Sequence, residues 1–148
     1  MLAYRKKLEA LTRRKCIPVW HVSRGIDDFK KMCDRYDYVA VGGIVTKEIM
    51  PTQYKYFTAL IKEAHKRRAK IHGLGFTSTS YFDKVHFDSV DSTTWNVGGK
   101  FGNICVFNGK DMRQRIQNKG KRCIDPSKLM IHNWNEWIKF QKYAETHL

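Results

Sequence analysis

Cysteine is scarce in this sequence, and the few cysteines present stand far apart. The 148 residues include four of them, and no two have a CxxC spacing. Zinc ribbons and disulfide frameworks need closely or regularly spaced cysteines, so neither is expected here. Widely separated cysteines are typical of a cytoplasmic protein with reduced thiols. The four positions are Cys16, Cys33, Cys105 and Cys123.

Long apolar runs are also lacking. No stretch approaches the roughly 20 consecutive apolar residues that span a bilayer, so no membrane association is expected. Residues 1–15 are charged and lack the apolar segment of a secretion signal. At the same time, 42% apolar and 13% aromatic residues are too many for a disordered chain. We therefore predict one globular domain over residues 1–148, in the cytoplasm.

Acidic residues are few in comparison with basic ones. The chain has 28 Lys and Arg against 14 Asp and Glu, a formal net charge of +14. Such an excess favours an anionic partner, and nucleic acid is the commonest large one. The alternative is a surface that merely happens to be basic, because the charges are spread along the chain and not gathered in one tail. The basic groups fall at residues 5–7, 13–15, 66–68 and 119–122.

What the sequence does contain is an alternation of short apolar segments with helical patterns. This alternation predicts an α/β fold with parallel strands joined by helical crossovers. We expect four adjacent parallel strands in chain order, with helices packed outside them. Asp125 followed by Pro126 indicates the start of a C-terminal helix, whose inward-facing residues are expected to be Leu129, Met130, Trp134, Trp137 and Ile138. The expected strands are 17–21, 38–43, 70–75, 85–91 and 104–107, and the expected helices are 2–14, one capped by Asp27, 51–68, 110–117 and about 126–146.

Glycine and polar residues lie at the ends of these strands, where parallel α/β folds build their sites. Gly42 and Gly43 would let a ligand approach the backbone closely, although a tight turn also explains them. His21 could bond or stack on a base, and His72 could point into a pocket or be structural. The groups that could gather around a metal match no local metal motif, so no metal is expected; they are His21, His72, His86 and Asp88.

Two carboxylates near the fourth strand are the strongest catalytic candidates. Asp88 lies between apolar residues, and an ionised carboxylate is costly to bury unless it is paired or used. It could act as nucleophile or general base, or it could cap a turn. Asp91 could be the active carboxylate instead, or could cap the Ser/Thr run after it. Residues three apart on a strand face opposite sides, so the two carboxylates share a pocket only if the strand ends between them.

Three segments, in order, resemble the carboxyl-terminal half of the tRNA-guanine transglycosylase barrel, including its DNA-acting, phage-associated relatives. Val39-Ala40-Val41-Gly42-Gly43-Ile44 is similar to a family strand end that lines the base pocket. His72-Gly73-Leu74-Gly75 resembles another wall of that pocket. Phe87-Asp88-Ser89-Val90 resembles the segment that carries the nucleophilic aspartate, and residues 98–102 resemble a short basic loop that ends in glycine. The resemblance covers residues 17–102.

The resemblance implies a (β/α) half-barrel equivalent to strands five to eight of a TIM barrel. It implies that Asp88 is the catalytic nucleophile, with Asp91 as a second candidate carboxylate, and it calls for no cofactor. Lys100 and Arg24 are the candidate contacts to nucleic-acid phosphates. The implied base-binding residues are His21, Gly42, Gly43, Ile44, Gly73 and Leu74.

The chain also departs from the family pattern. It has no counterpart of the first half-barrel, which brings the general-base and base-recognising aspartates, and it lacks the zinc-binding cysteine cluster. Thr93, Thr94 and Trp95 stand where the family has Pro-Thr-Arg. Four strands of a closed barrel leave two exposed edges. We therefore expect a partner chain that supplies the other half-barrel, or a homo-oligomer.

Two functions are consistent with these features. The first is an enzyme half that exchanges guanine for a deazaguanine in tRNA or DNA, with a base that leaves its stack to reach the site. The second is a non-catalytic, basic α/β module that binds nucleic acid or a protein. In the second case Asp88 would have a structural role.

Overall fold

The fold is described here from a computed structural model, which describes residues 2–92, 95–96, 102–115 and 125–148. Helices and strands alternate through the first two thirds of the chain, and a hairpin and a long helix follow. Three short 3-10 segments, Val22–Arg24, Pro51–Tyr56 and Thr79–Tyr81, lie in the connections. The main elements are α1 (Leu2–Thr12), β1 (Val19–Trp20), α2 (Ile26–Arg35), β2 (Tyr38–Val41), α3 (Phe57–Lys66), β3 (Lys70–Gly73), β4 (Ser89–Val90), β5 (Ile104–Phe107), β6 (Met112–Arg115) and α4 (Pro126–His147).

The main sheet has four parallel strands in the order β1-β2-β3-β4. Ala40 is paired with Val19 on one side and with His72 on the other, and His72 is paired with Ser89. The prediction of four adjacent parallel strands in chain order is therefore confirmed. The fold is mixed α/β, with α2 and α3 as the crossover connections between successive strands.

The apolar core lies between this sheet and the helices. Strand residues such as Val39, Val41 and Ile71 pack there with Phe29 of α2 and Phe57 of α3. Aromatic rings dominate the part near β3 and β4, where ring centroids lie 5.2–5.7 Å apart; these are Tyr54, Phe57, Phe76 and Phe87. Each such pair adds roughly 0.5–1.5 kcal/mol to the effect of burial itself. The core thus holds α2 and α3 against one face of the sheet.

Two cysteines belong to this buried interior. Cys33 is 3% exposed and Cys105 is fully buried. Burial raises the pKa of the Cys33 thiol to about 11, and it also raises the pKa of Cys105. Both side chains are therefore protonated at neutral pH and pack as small apolar groups.

The hairpin of β5 and β6 corrects one prediction. Residues 110–117 were expected to form a helix, but Met112–Arg115 pairs antiparallel with Ile104–Phe107. The cause is the turn at Asn108 and Gly109, where Gly109 has a φ of +92°. The Asn108 side chain accepts hydrogen bonds from the backbone N–H groups of Lys110 and Asp111, at 3.0 and 2.7 Å. The N–H of Asn108 also donates to the C=O of Asp111, so Gly109 is the first central residue of a two-residue turn that reverses the chain into β6.

Helix starts were predicted with mixed success. Asp125 caps α4 by accepting from the N–H of Lys128 at 3.0 Å, and Pro126 follows it, as predicted. The prediction that Asp27 caps a helix is wrong, because α2 begins at Ile26 after Gly25, whose φ is +75°. Asp27 lies instead in the first turn of α2, where a carboxylate is favoured by the positive end of the helix dipole.

Helix α4 is anchored by polar side chains that bond to the backbone of β5. Asn133 accepts from the N–H of Cys105 at 2.8 Å and donates to the C=O of Asn103 at 2.9 Å. Glu136 accepts from the N–H of Phe107 at 2.7 Å. These bonds lie on the edge of β5 that does not face β6, so helix side chains occupy the groups that a further strand would use.

The pKa of Glu136 reflects this position. Its hydrogen bonds from Lys139 and from the N–H of Phe107 hold the pKa of the carboxyl below its ordinary value. Since the folded-state pKa is lowered, this contribution to stability is present above the ordinary pKa and is lost as the pH falls through the lowered one. The helix–strand contact is thus an ionised one at neutral pH.

The inward face of α4 differs from the periodicity-based prediction. Met130 and Trp134 were expected inside, but they are 38% and 48% exposed. The buried positions include Leu129, Asn133 and Phe140. The polar bonds to β5 rotate the helix so that Trp134 turns outward. Among the described residues, no helix has the length and apolar character needed to cross a bilayer.

We predict that Asn133→Ala destabilises the protein by about 1–3 kcal/mol for each backbone group left unpaired. The side chain is fully buried and serves both an N–H and a C=O. Chemical denaturation of the full chain measures the change in the free energy of unfolding. Lys142→Ala, at an exposed position of the same helix, is the matched control and should change it by less than about 0.5 kcal/mol. Equal stability of Asn133→Ala and the wild type would show that these bonds do not anchor the helix.

Candidate functional site

The sheet has a second face that points away from the apolar core. Because side chains alternate along a strand, the row Trp20, Val41 and Val90 packs toward the core, and the neighbouring row points to the other side. That other row carries both polar and small groups. We call it the polar face and define it by Val19, Tyr38, Ala40, His72 and Ser89.

A chain of polar contacts crosses this face. The hydroxyls of Tyr38 and Ser89 are hydrogen-bonded to each other. The Ser89 Oγ also lies 2.5 Å from Nδ1 of His72. On the other side of the same imidazole, Nε2 lies 3.5 Å from Oδ1 of Asp91. Three strands therefore contribute to one line of groups that can exchange protons.

Asp91 is the carboxylate at the carboxyl ends of these strands. It follows β4 directly, and its Oδ1 accepts a hydrogen bond from the N–H of Gly75 at 2.7 Å. The side chain is 53% exposed, so it can meet a ligand from solvent. A carboxylate oriented by a backbone N–H and placed beside a histidine can serve as a nucleophile or as a base.

Asp88 does not occupy the position that the sequence predicted. Its Oδ2 accepts from the backbone N–H of Ile71 at 2.7 Å and lies 2.9 Å from Nε2 of His65, in the last turn of α3. Ile71 is paired with Val39, and Gly42 is three residues further along β2, roughly 10 Å away along the strand. Asp88 therefore faces the amino-terminal side of the sheet and α3, and the prediction that it lies beside Gly42 and Gly43 is wrong.

The physical reason is that β4 is shorter than expected. Strand pairing begins only at Ser89, so Asp88 belongs to the incoming turn and is not bound by strand alternation. Its carboxylate turns back onto the N–H of Ile71. This arrangement fits the structural role that was the alternative for Asp88.

We predict that Asp88→Ala lowers the free energy of unfolding by about 1–3 kcal/mol, since it leaves the N–H of Ile71 unpaired. Ile71 is fully buried, so water cannot easily replace the carboxylate. Thermal or chemical denaturation measures the loss. Asp27→Ala, an exposed carboxylate of α2, is the control. A stability loss for Asp88→Ala no larger than for Asp27→Ala would contradict the structural role.

His21 and Glu48 form a second polar pair near the strand ends. Nδ1 of His21 lies 3.1 Å from Oε2 of Glu48, and Oε1 of the same carboxylate accepts from Thr46 at 3.0 Å. These hydrogen bonds hold the pKa of Glu48 below its ordinary value. Glu48 is thus a further ionised group at this edge, and its position in a loop gave no sequence signal for it.

The glycines expected to line a base pocket make room for the protein's own side chains. A Cβ on Gly42 would lie 2.8 Å from the His21 ring, and a Cβ on Gly73 would lie 2.9 Å from the Phe87 ring. Gly43 has a φ of +91°, which a side chain rarely adopts. Each glycine is therefore explained by packing or by backbone conformation.

The remaining predicted residues lie in different surroundings. Ile44 is buried in the apolar core, and Leu74 continues β3, where its N–H donates to the C=O of Val41. Arg24 forms an ion pair with Asp28, at 2.8 Å between Nε and Oδ2. Lys100 and the fourth cysteine, Cys123, lie outside the described residues. Within the described part of the chain, no group of three or more His, Cys, Asp or Glu could hold a metal.

A groove of about 760 Å³ runs between β4 and α4. Its walls combine polar groups after the strand with aromatic rings of the helix. Asp88 and Asp91 both line this groove, and Asp91 also belongs to the polar chain through His72. Sequence reasoning missed this groove because it treated Trp134 as a core residue. The carboxylate and aromatic residues that line it include Asp91, Trp95, Trp134, Trp137, Phe140 and Glu145.

Comparison with known proteins gave no match. No family model, no curated protein and no solved structure is similar to this chain at a significant level. The resemblance to the transglycosylase barrel therefore stays a prediction from the sequence.

Proposed function

We propose that this chain is one half of a nucleic-acid base-exchange enzyme of the guanine transglycosylase type, with Asp91 as its nucleophile. The observation that carries the proposal is the position of Asp91. It is a partly exposed carboxylate at the carboxyl ends of a parallel sheet, held by the N–H of Gly75 and adjacent to His72. Parallel α/β folds place their reactive groups at this edge.

The chemistry requires a carboxylate that reaches a sugar. Its oxygen attacks the anomeric carbon while the bond to guanine breaks, and a covalent glycosyl–enzyme ester forms. An incoming deazaguanine then attacks the same carbon and releases the carboxylate. His72 stands within 3.5 Å of Asp91 and can hold or accept a proton during these steps.

The proposed enzyme requires a second half-barrel. In a closed (β/α) barrel the helices lie outside and the other face of the sheet lines the interior. Here the helices pack on the core side, so the polar face with Tyr38, His72 and Ser89 would be the interior surface. The free edge of β1 would pair with a separate half-barrel chain or with a second copy, since an exposed strand edge is unfavourable, whereas β4 faces the groove that α4 lines.

The test is an exchange assay with variants of both carboxylates. The wild-type chain is incubated with radiolabelled guanine and either tRNA or duplex DNA. The incubation is repeated in the presence of the product of any neighbouring gene that encodes a first half-barrel. We predict that Asp91→Asn lowers incorporation by more than about 100-fold, because an amide cannot act as the nucleophile. Asp88→Asn should keep most of the activity of the folded fraction, since Asn Oδ1 can still accept from Ile71.

A denaturing gel gives an independent readout of the same step. An Asp91 nucleophile should give a protein–nucleic acid adduct that survives denaturation and that Asp91→Asn abolishes. If Asp88→Asn folds normally but loses both the adduct and the exchange activity, the nucleophile is Asp88 and not Asp91. Absence of exchange by the wild type under all these conditions would favour the second candidate function.

That second candidate is a non-catalytic nucleic-acid-binding module, and the charge distribution favours it. Exposed basic residues precede the strands, so they gather at the amino-terminal edge of the sheet, opposite Asp91. Arg13 and Arg14 come before β1, and Arg68 and Lys70 stand at the start of β3. Arg68 has a φ of +62°, in the left-handed region. Such an edge would contact the phosphate backbone and not a single base.

Salt dependence separates these two functions. For the binding module, we predict that affinity for duplex DNA falls steeply with added salt and that Arg14→Glu with Arg68→Glu reduces the slope by about 2, one for each lost phosphate contact. Fluorescence anisotropy at several salt concentrations measures the affinity and gives the slope. Lys55→Glu, near the carboxyl-terminal edge, is the control. If Lys55→Glu changes the slope and the paired variant does not, the nucleic acid lies at the edge that carries Asp91.

A further inference from the structure

We propose that the groove between β4 and α4 binds a guanine-class base by stacking on Trp134, an inference that rests on the proposed base exchange. The groove adjoins the carboxylate of Asp91 and has about 760 Å³ of space. Ligand pockets of this order suit small molecules. It runs along β4 from His86 to Ser92 and does not lie over the glycines that the transglycosylase resemblance indicates.

The glycine-lined route to a base is closed in this structure. The space beside Gly42 is taken by the ring of His21, and the space beside Gly73 is taken by the ring of Phe87 and the Cβ of Phe76. A planar ligand close to either backbone would have to displace these side chains. Phe76 and Phe87 are buried in the core, so their movement would be costly.

The groove, in contrast, presents an aromatic surface to solvent. Trp134 is 48% exposed although it is a large aromatic residue on a helix that is otherwise anchored to the domain. Its ring lies 4.8 Å from that of Trp95 at 72°, an edge-to-face pair that orients the indole. Trp137 and Phe140 form a second such pair, 5.2 Å apart. An exposed, oriented ring of this kind is a surface on which a base can stack.

The polar groups of the groove select among bases. Glu145 is a carboxylate, which accepts hydrogen bonds and cannot donate them when ionised. Guanine and its deaza analogues carry adjacent N–H donors on one edge, whereas adenine pairs a donor with an acceptor there. Glu145 accepts from Gln141 through Oε1 at 2.9 Å, which orients it on the α4 wall. Acceptor groups in an aromatic groove therefore favour a donor-rich purine.

Helix geometry sets the scale of the site. Trp134 and Gln141 are seven residues apart on α4, which is about 10 Å along the axis. This spacing places them on one helix face and leaves room for a purine stacked on Trp134 with its donor edge directed along the helix toward Gln141 and Glu145. Asp91, on the opposite wall, would then be next to the attached sugar.

Intrinsic fluorescence can test the inference without any catalytic readout. Three of the four tryptophans, Trp95, Trp134 and Trp137, line the groove, so 7-deazaguanine bound there should quench emission in a saturable way. We predict that Trp134→Ala weakens this binding about tenfold or more, and that Trp134→Phe stays within about threefold of the wild type. Adenine should bind more weakly than 7-deazaguanine, and Glu145→Gln should reduce that difference.

Matched controls keep the result specific. Tyr4→Ala removes an aromatic residue that is 81% exposed on α1, outside the groove, and should leave binding unchanged. Binding of 7-deazaguanine that is absent in the wild type, or equal in Trp134→Ala and the wild type, would overturn the inference. Binding that depends on Trp134 in a protein without exchange activity would support the groove and remove the proposed function. If Trp134→Ala keeps both the exchange activity and the wild-type affinity for 7-deazaguanine, the proposed function stands but the groove is not the base-binding site.

Discussion

The architecture depends on the register of four parallel strands. Because Val19, Ala40, His72 and Ser89 are aligned across the sheet, every second residue of each strand falls in one row, and the residues between fall in the other. One row meets the helices and is apolar. The other row can therefore hold polar groups from several strands in contact. A shift of one residue in β3 would exchange the two rows of that strand and turn His72 toward the phenylalanines of the core.

A second constraint acts where the sheet gives way to the hairpin. Strand β5 has one edge against β6 and the other against α4, whose Asn133 and Glu136 bond to its backbone. This contact fixes the rotation of the helix about its axis. Since Phe140 then faces the core and Trp134 faces outward, the same polar bonds that satisfy a strand edge also create the aromatic wall of the groove.

The sequence predicted the order of the strands better than the contacts between residues that are distant along the chain. Alternating apolar segments were enough to predict the parallel sheet and its strand order, and Asp125-Pro126 located the start of α4, because these signals are local. The placement of Asp88 was not predictable, since its partners, the Ile71 N–H and His65, are 17 and 23 residues away. Asn133 carries no local signal of burial, and the distant β5 edge explains why it is buried. The hairpin could have been predicted from the sequence, because Asn108-Gly109 is a local turn signal.

The contact between Tyr38 and Ser89 links the orientation of two hydroxyls to the proton positions on His72. A serine oxygen can accept hydrogen bonds from two donors and has one hydrogen to donate. When Ser89 donates that hydrogen to Nδ1 of His72, the neutral imidazole carries its own hydrogen on Nε2, on the side of Asp91. When His72 is doubly protonated, Nδ1 becomes a donor, and Ser89 must turn its hydrogen away from the ring. A change of protonation on the imidazole is in this way passed to a hydroxyl on the neighbouring strand.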